Sequence, residues 1–564
     1  MRRFATRARS AFKARTPGAQ LDKPDLMVAT SIRHHDLVRR HLAAGGEAVT
    51  PHRHLWFALT AEGFDCQWAF APNFCISLDL RTREADDFID QTYQFHRQRI
   101  AVSRGSWKRA CSFHFRWLIG DFLAAREMAN RIGADRGRWN QVLVPVDPAN
   151  VRVWGAFLED DSFALFTKAL IPDATLINES SEEVITGAQS LRLFPLVDFV
   201  HQEGSGNKVS ATDELVMPAA MRTPWEPFTH TDLTQTVVGS VMGDHTAPAI
   251  AVTNPIDTWV VAAEISGEDA VAISASWVAK IWLPRIEEVS VACARLLDTA
   301  APSRLFVADH VLPDVSLLAD EAVSRGVPIT LLPHNPAPVD IRLWVGVPGV
   351  DVVTGTKSAR EWWTRADIRA RRSSSCFTKL REAAKKPARI RTSTLLRVLY
   401  IGGLSHELHY PIVDPAAYFK AQQVLMTPPA DIASSVEMSI RPRAHWESSA
   451  WYDVYPAPRQ ILDTETPLPE LLSSFDLAVV LEMSSGAQLE AIAAGCATVS
   501  VSSEPTADRW RANGDVASSI LDPAVVPVIP PEAFWPLLNT FVEDRSQLDI
   551  LFTRQLAWLR DELG

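Results

Sequence analysis

The stretch from Leu477 to Val501 most constrains what this chain can fold into. Leu477 to Leu481 is an unbroken apolar run with the length of a strand buried on both faces, as in parallel sheets. Ser484, Ser485 and Gly486 supply a turn and N-cap, Leu489, Ile492 and Ala493 recur at helical spacing, Gly495 stops the helix, and Ala497 to Val501 has the composition of the next strand. Strand, tight turn, helix, strand predicts an α/β chain. In such a unit the helix N-terminus lies at the carboxyl edge of the sheet, where its free amides and positive dipole end hold phosphate. Small turn residues let a phosphate approach the backbone. Glu490, a turn and a half into the helix, can accept hydrogen bonds from a sugar diol. The same segment also reads as an ordinary capped helix in an α/β sheet.

Chain length narrows the rest. A chain of 564 residues, 47% hydrophobic and 22% charged, has the composition of a globular protein. Its size suggests roughly two to four domains. The net charge of −11 argues against general nucleic-acid binding. The six cysteines show no Cys-x-x-Cys and no histidine at metal spacing, so no metal site and a reducing, cytoplasmic setting are expected. No run approaches the ~18 apolar residues of a membrane-spanning helix. Arg2, Arg3, Arg7, Arg9, Lys13 and Arg15 surround Phe4, Ala8, Ala11 and Phe12, which reads as a basic tail or as a short helix resting on an anionic membrane.

Asp25 to Thr30 reads as a strand, Ser31 to His35 as a polar loop, and Asp36 to Ala44 as a helix stopped by Gly45-Gly46, with a strand at Glu47 to Thr50. Residues 51 to 240 interleave tryptophan and phenylalanine with arginine, a mixture that stacks on sugars, binds phosphate, or forms a core with a snorkelling rim. Helical spacing runs over Trp117 to Ile132, and Gln141 to Val146 reads as a strand; His201 to Ala211 and Met221 to Thr236 read as loops. Strands are expected at Ile250 to Thr253, Arg304 to Ala308 and Val327 to Leu332, the last two leading into Asp309-His310 and Pro333-His334-Asn335. Polar residues at the carboxyl ends of such strands are where open α/β sheets collect ligands. Arg365 to Arg397 holds eleven Lys/Arg against Asp367 and Glu382 and reads as a connection between domains, or as a face toward anionic lipid or phosphate. Val398 to Ile401 leads into Gly402-Gly403, and Val436 to Ile440 into Arg441-Pro442-Arg443-Ala444-His445. Glycines allow backbone contact with a diphosphate, and the arginine fork engages two oxygens at once.

Asp476, Ser484, Ser485, Glu490, Ala491 and Gly495 resemble the donor-site pattern of GT-B glycosyltransferases, especially bacterial capsule and surface-polysaccharide transferases. The resemblance implies an α/β fold with two Rossmann-like domains facing a cleft, an elaborated N-terminal domain and a C-terminal helix. The corresponding boundaries are a basic tail at 1–23, an acceptor-side domain at 24–364, a basic linker at 365–396, a nucleotide-sugar domain at 397–545 and a terminal helix at 546–564. It implies that Gly402, Gly403, Arg441, Arg443, His445, Ser484, Ser485 and Glu490 bind a nucleotide sugar, a substrate rather than a cofactor. An inverting reaction needs a base, for which His334 stands first, with Asp309, His34 and His35 behind it. The implied partners are a nucleotide sugar and a glycan acceptor; peripheral membrane contact through the basic N-terminus or linker is an expectation from the basic residues alone. The chain departs from related patterns in three places, one being Arg441 to His445, which lacks the usual His-Pro order. Glu482 and Glu490 have the seven-residue separation of retaining enzymes, but Ser485 stands where that class has glycine; Asn335 likewise replaces a glycine. A nucleotide-sugar epimerase, a sugar-phosphate transferase and a non-catalytic binding protein on the same fold remain alternatives.

Overall fold

A computed structural model describes residues 23–70, 78–147, 151–153, 162–184, 191–195, 214–217, 235–237, 250–252, 278, 282–307, 313–332, 344, 346–365, 369–372, 378–385, 394–402, 415–442, 460–462, 466–481, 486–502 and 524–564. The first sheet comprises β1 (Leu26–Val28), β2 (Glu47–Thr50), β3 (Cys66–Trp68), β4 (Val142–Val146) and β6 (Thr175–Asn178), all parallel, in the order β3-β2-β1-β4-β6. A small sheet joins β5 (Val151–Val153), β7 (Leu191–Pro195) and β10 (Ile250–Val252). The third sheet, β14-β13-β12-β11-β8-β9, is built from β8 (Glu214–Met217), β9 (Gln235–Val237), β11 (Arg304–Val307), β12 (Ile329–Leu331), β13 (Val350–Thr354) and β14 (Arg369–Arg372). The fourth, β17-β16-β15-β18-β19-β20, contains β15 (Leu396–Ile401), β16 (Val436–Arg441), β17 (Gln460–Ile461), β18 (Leu477–Leu481), β19 (Ala497–Val501) and β20 (Val528–Ile529). Every pairing in the third and fourth sheets is parallel. The expected α/β class with Rossmann-like sheets is therefore present. The region 24–364 carries the whole first sheet and five strands of the third.

Helices join these sheets. α1 (His35–Ala43) follows β1 and ends at Gly45, whose φ of +95° is the left-handed conformation that a side chain disfavours. α2 (Arg53–Ala61) follows β2, and α3 (Leu78–His96) with α4 (Arg104–Ala134) form a long hairpin before β4. Helical spacing in the sequence foreshadows only the second half of α4. Trp107, Cys111, Phe115, Leu118, Phe122 and Ala125 are all buried along it. One core holds these residues together with Val28 and Val144 of the first sheet and Val307, Leu331 and Val352 of the third. α4 thus serves both sheets, which is why its apolar surface is wider than a single stripe. α5 (Ser162–Leu170), α6 (Leu283–Ala300) and α7 (Pro313–Ser324) complete this layer. Arg109 of α4 donates from Nε to Asp320 of α7 at 2.7 and 3.0 Å, and its guanidinium lies 5.3 Å from the Trp344 ring centroid.

On the opposite face of the third sheet, Phe306, Leu332 and Val353 belong to the core of the fourth. Alternation along each strand makes this two-sided burial possible. Among its described residues, the basic segment after residue 364 contributes edge strand β14 and then α9 (Thr378–Lys385). The stretch expected as loop up to Thr236 ends inside β9. Beyond α8 (Lys357–Arg365), the fourth sheet is covered by α10 (Pro415–Leu425), α11 (Leu468–Leu472), α12 (Gly486–Ala493), α13 (Phe534–Glu543) and α14 (Arg545–Leu563). The C-terminal turn of α14 is gripped from two sides. Glu562 accepts from Ser358 N (2.9 Å) and Oγ (2.7 Å) at the start of α8, while Arg381 of α9 donates to the Leu563 carbonyl at 3.0 and 2.6 Å.

Candidate functional site

The order β17-β16-β15-β18-β19-β20 reverses direction between β15 and β18, the first and fourth strands of the sheet. At such a switch point the connections leave in opposite directions and open a crevice at the carboxyl edge. Gly402 is buried directly after β15, and its N–H continues the ladder to the Arg441 carbonyl at 2.9 Å. Arg441 is the last residue of β16, in register with Ile401. Across the reversal, α12 begins at Gly486, where an added Cβ would meet nothing within 4 Å. The amides of the first turn of such a helix are groups to which a phosphate can bind.

Glu490 lies within electrostatic reach of Arg441. Burial pushes the Glu490 carboxyl above its ordinary value of 4.5, and the charge of Arg441 pulls the other way without cancelling that effect. Arg441 is further held by a hydrogen bond from its guanidinium to the Thr466 carbonyl at 2.8 Å. A fixed guanidinium beside a partly buried carboxyl suits a ligand that carries both phosphate and hydroxyls. Gly402 and Arg441 are therefore brought to one sheet edge, with Glu490 in electrostatic reach of Arg441. Gly403, Arg443, His445, Ser484 and Ser485 lie outside the described residues, as does Glu482. Asp476 has a different place. It sits at the amino end of β18, buried, and its carboxylate accepts from Arg397 N at 2.9 Å, tying the start of β15.

The aim of α12 depends on residues that sequence reasoning missed. Gln488, fully buried in its first turn, donates to Thr498 Oγ1 at 3.2 Å and Ser500 Oγ at 3.0 Å on β19. Gln555 of α14 accepts from Thr498 N at 2.9 Å and donates to the Thr498 and Val525 carbonyls at 2.7 and 3.2 Å. A polar residue interrupting apolar helix positions was the available signal, at both glutamines.

His34 follows β1, and it is fully buried. Its Nδ1 accepts from Ser31 N at 3.3 Å, which places the proton on Nε2, 3.1 Å from Glu179 Oε2. Burial, opposed by Glu179, moves the imidazole below its ordinary value, consistent with a neutral ring. Glu179 lies below the usual carboxylate range: burial raises it, but His34 and Arg33 outweigh that. Both ring nitrogens are engaged, and the Nδ1 contact closes the Ser31 turn. His34→Ala is expected to destabilise the chain by about 2 kcal/mol, through a cavity and an orphaned Ser31 amide. Thermal unfolding tests this; an unchanged melting point with lost turnover would instead identify a base. His35 begins α1, with Nε2 at 2.8 Å from Glu62 Oε1. Asp309 and His334 lie outside the described residues, beyond the ends of β11 and β12.

The chain matches no family model and no curated protein. Among solved structures it is similar to MurG of Acinetobacter baumannii, at 16% identity over 49% of this chain and 75% of that one, with a TM-score of 0.30. It is also similar to the glycosyltransferase SnogD from Streptomyces nogalater (15% identity, 50% of this chain and 76% of that one, TM-score 0.30). OtsA shows 12% identity over 75% of this chain and 98% of that one, with a TM-score of 0.32. The assignment of an α/β fold rests on the sheet orders themselves. Among the described residues no helix is long and apolar enough to cross a membrane, and no cluster of side chains has the makings of a metal site.

Proposed function

We propose that this chain is a glycosyltransferase that moves a sugar from a nucleotide-sugar donor to a glycan acceptor of the surface-polysaccharide type. The observation that carries the reading is the placement of Gly402 and Arg441 at the ends of β15 and β16, with Glu490 in electrostatic reach of Arg441 across the β15/β18 switch point. In this reading the α12 amides and Arg441 receive the diphosphate, and Glu490 receives the hydroxyls of the ribose or sugar. Gly403, Arg443, His445, Ser484 and Ser485 would extend that cradle. Preorganised amides and guanidinium groups would stabilise the negative charge that builds on the departing diphosphate. The acceptor hydroxyl would lose its proton to His334, or failing that to Asp309, His34 or His35, on the N-terminal side.

The test is incubation with a panel of nucleotide sugars, with and without glycan acceptors. Release of free nucleoside diphosphate only when acceptor is present is the expected result. Interconversion of the sugar without acceptor would make the chain an epimerase, and binding without turnover a recognition protein. No binding of any nucleotide would remove the reading altogether.

A further inference from the structure

The arginine and aromatic residues interleaved near residue 100 do not end up in the proposed site. From Gln91 to Gly120 the chain has no acidic residue, yet it carries six Lys/Arg within a protein of net charge −11. The fold buries Arg116 and sorts the other five into two groups. Trp107 and Phe115 enter the core, Arg104 and Lys108 pair with Asp90 and Asp86 of α3, and Arg109 pairs with Asp320 of α7. What stays outside is the turn of the α3/α4 hairpin. Phe95 is 69% exposed, the most exposed large hydrophobic residue among those described, with Arg97, Gln98 and Arg99 exposed beside it.

The hairpin is cross-braced beneath this tip. Arg104 grips Asp90 with two hydrogen bonds, of 3.0 and 2.7 Å, Lys108 reaches Asp86 at 3.0 Å, and Trp107 Nε1 donates to the Ile89 carbonyl at 3.2 Å. Ile100 and Val102 pack back against the core, so the turn is anchored from beneath. Phe95 is braced edge-on against His96, with ring centroids 4.8 Å apart. An exposed aromatic ring with two exposed arginines beside it is complementary to one kind of surface. It has an anionic exterior and an apolar layer just below.

We infer that the α3/α4 tip, through Phe95, Arg97 and Arg99, docks on the headgroup region of an anionic phospholipid membrane. The arginines meet lipid phosphates, and the ring enters the boundary with the acyl chains. This inference does not depend on the proposed transferase activity and is read without any substrate.

The experiment is co-sedimentation of the full chain with vesicles of phosphatidylcholine alone and of phosphatidylcholine containing phosphatidylglycerol. Binding only to the anionic vesicles, weakening as salt is raised, is expected. Arg97→Glu with Arg99→Glu should lower partitioning by about tenfold or more, and Phe95→Ser by several-fold. Both variants keep the basic N-terminal residues, so equal binding of the variants and the native chain would assign attachment elsewhere and overturn the proposal. Absence of binding to anionic vesicles would overturn it too. Conversion of a native dimer to monomer by Phe95→Ser, without lipid binding, would show that a second copy covers the tip and would also overturn it. All three substitutions are at exposed positions, so unchanged melting points are expected and make loss of folding a separable outcome.

Discussion

Glu490→Gln should weaken nucleotide binding by roughly tenfold to a hundredfold while raising the melting temperature at neutral pH. The first effect follows from losing a charged acceptor: a hydrogen bond to an ionised group contributes about 1.5–3 kcal/mol, and each 1.4 kcal/mol is a factor of about ten. The second follows from the raised Glu490 pKa, which burial causes. A carboxyl whose folded pKa exceeds its unfolded value favours the folded state below the unfolded pKa, and that contribution is lost as pH rises through the folded pKa. Near neutrality the ionised group therefore opposes folding, and a neutral amide of the same shape relieves the opposition. Arg441 does not become a stranded charge, since it keeps the Thr466 carbonyl and part of its surface in water. Calorimetric titration with a nucleoside diphosphate and unfolding scans across pH check both halves. The melting-point gap between variant and native chain should close as pH falls through the raised pKa. A variant that binds nucleotide as well as the native chain would remove Glu490 from the site.

The opposing signs also separate function from packing. A residue kept for stability loses stability when replaced, whereas one held at a cost in stability points to another role. Such a residue was legible in the sequence because its surroundings allowed so few alternatives. The run Leu477–Leu481 coincides with β18 and Ala497–Val501 with β19, and Gly495 ends α12 with φ +91°. Unbroken apolar runs of strand length bounded by small residues leave little room for another local structure. Other features depend on partners far along the chain. The first half of α4 is buried by two sheets, so it has no single apolar stripe to recognise. β8, β9 and β17 have four, three and two residues, too short for any period to register. His34 reads as a histidine in a polar loop, and the contact that fixes its tautomer comes from Glu179, 145 positions later. Asp476 resembled part of a donor pattern because it lies near the turn in sequence, yet a five-residue strand carries it to the opposite edge of the sheet.

Gln555→Leu should cost about 3–5 kcal/mol, a large share of the 5–15 kcal/mol by which domains are stable. The size comes from what Gln555 replaces. In a parallel ladder alternate residues of β19 face the next strand, here Thr498, Ser500 and Ser502. β20 supplies partners only for the last two, through Pro527 and Ile529 carbonyls that accept from Ser500 N at 2.9 Å and Ser502 N at 3.0 Å. Gln555 takes the missing place for Thr498, accepting from its N–H and donating to its carbonyl, and donates again to Val525. Leucine fills the space but orphans three backbone groups in a fully buried position, each at a cost of about 1–3 kcal/mol. The effect should extend beyond stability. Thr498 also accepts from Gln488 in the first turn of α12, so loosening β19 frees the helix whose N-terminus faces the switch point. The same α14 ends in the grip of Ser358 and Arg381, which connects the ligand edge of the fourth sheet to the flank of the third. Urea unfolding measures the first effect. Nucleotide affinity measured where the variant is still folded measures the second, and it should fall several-fold for Gln555→Leu and for Gln488→Leu alike. If both variants lose stability with affinity unchanged, the two glutamines hold the fold together without aiming the helix.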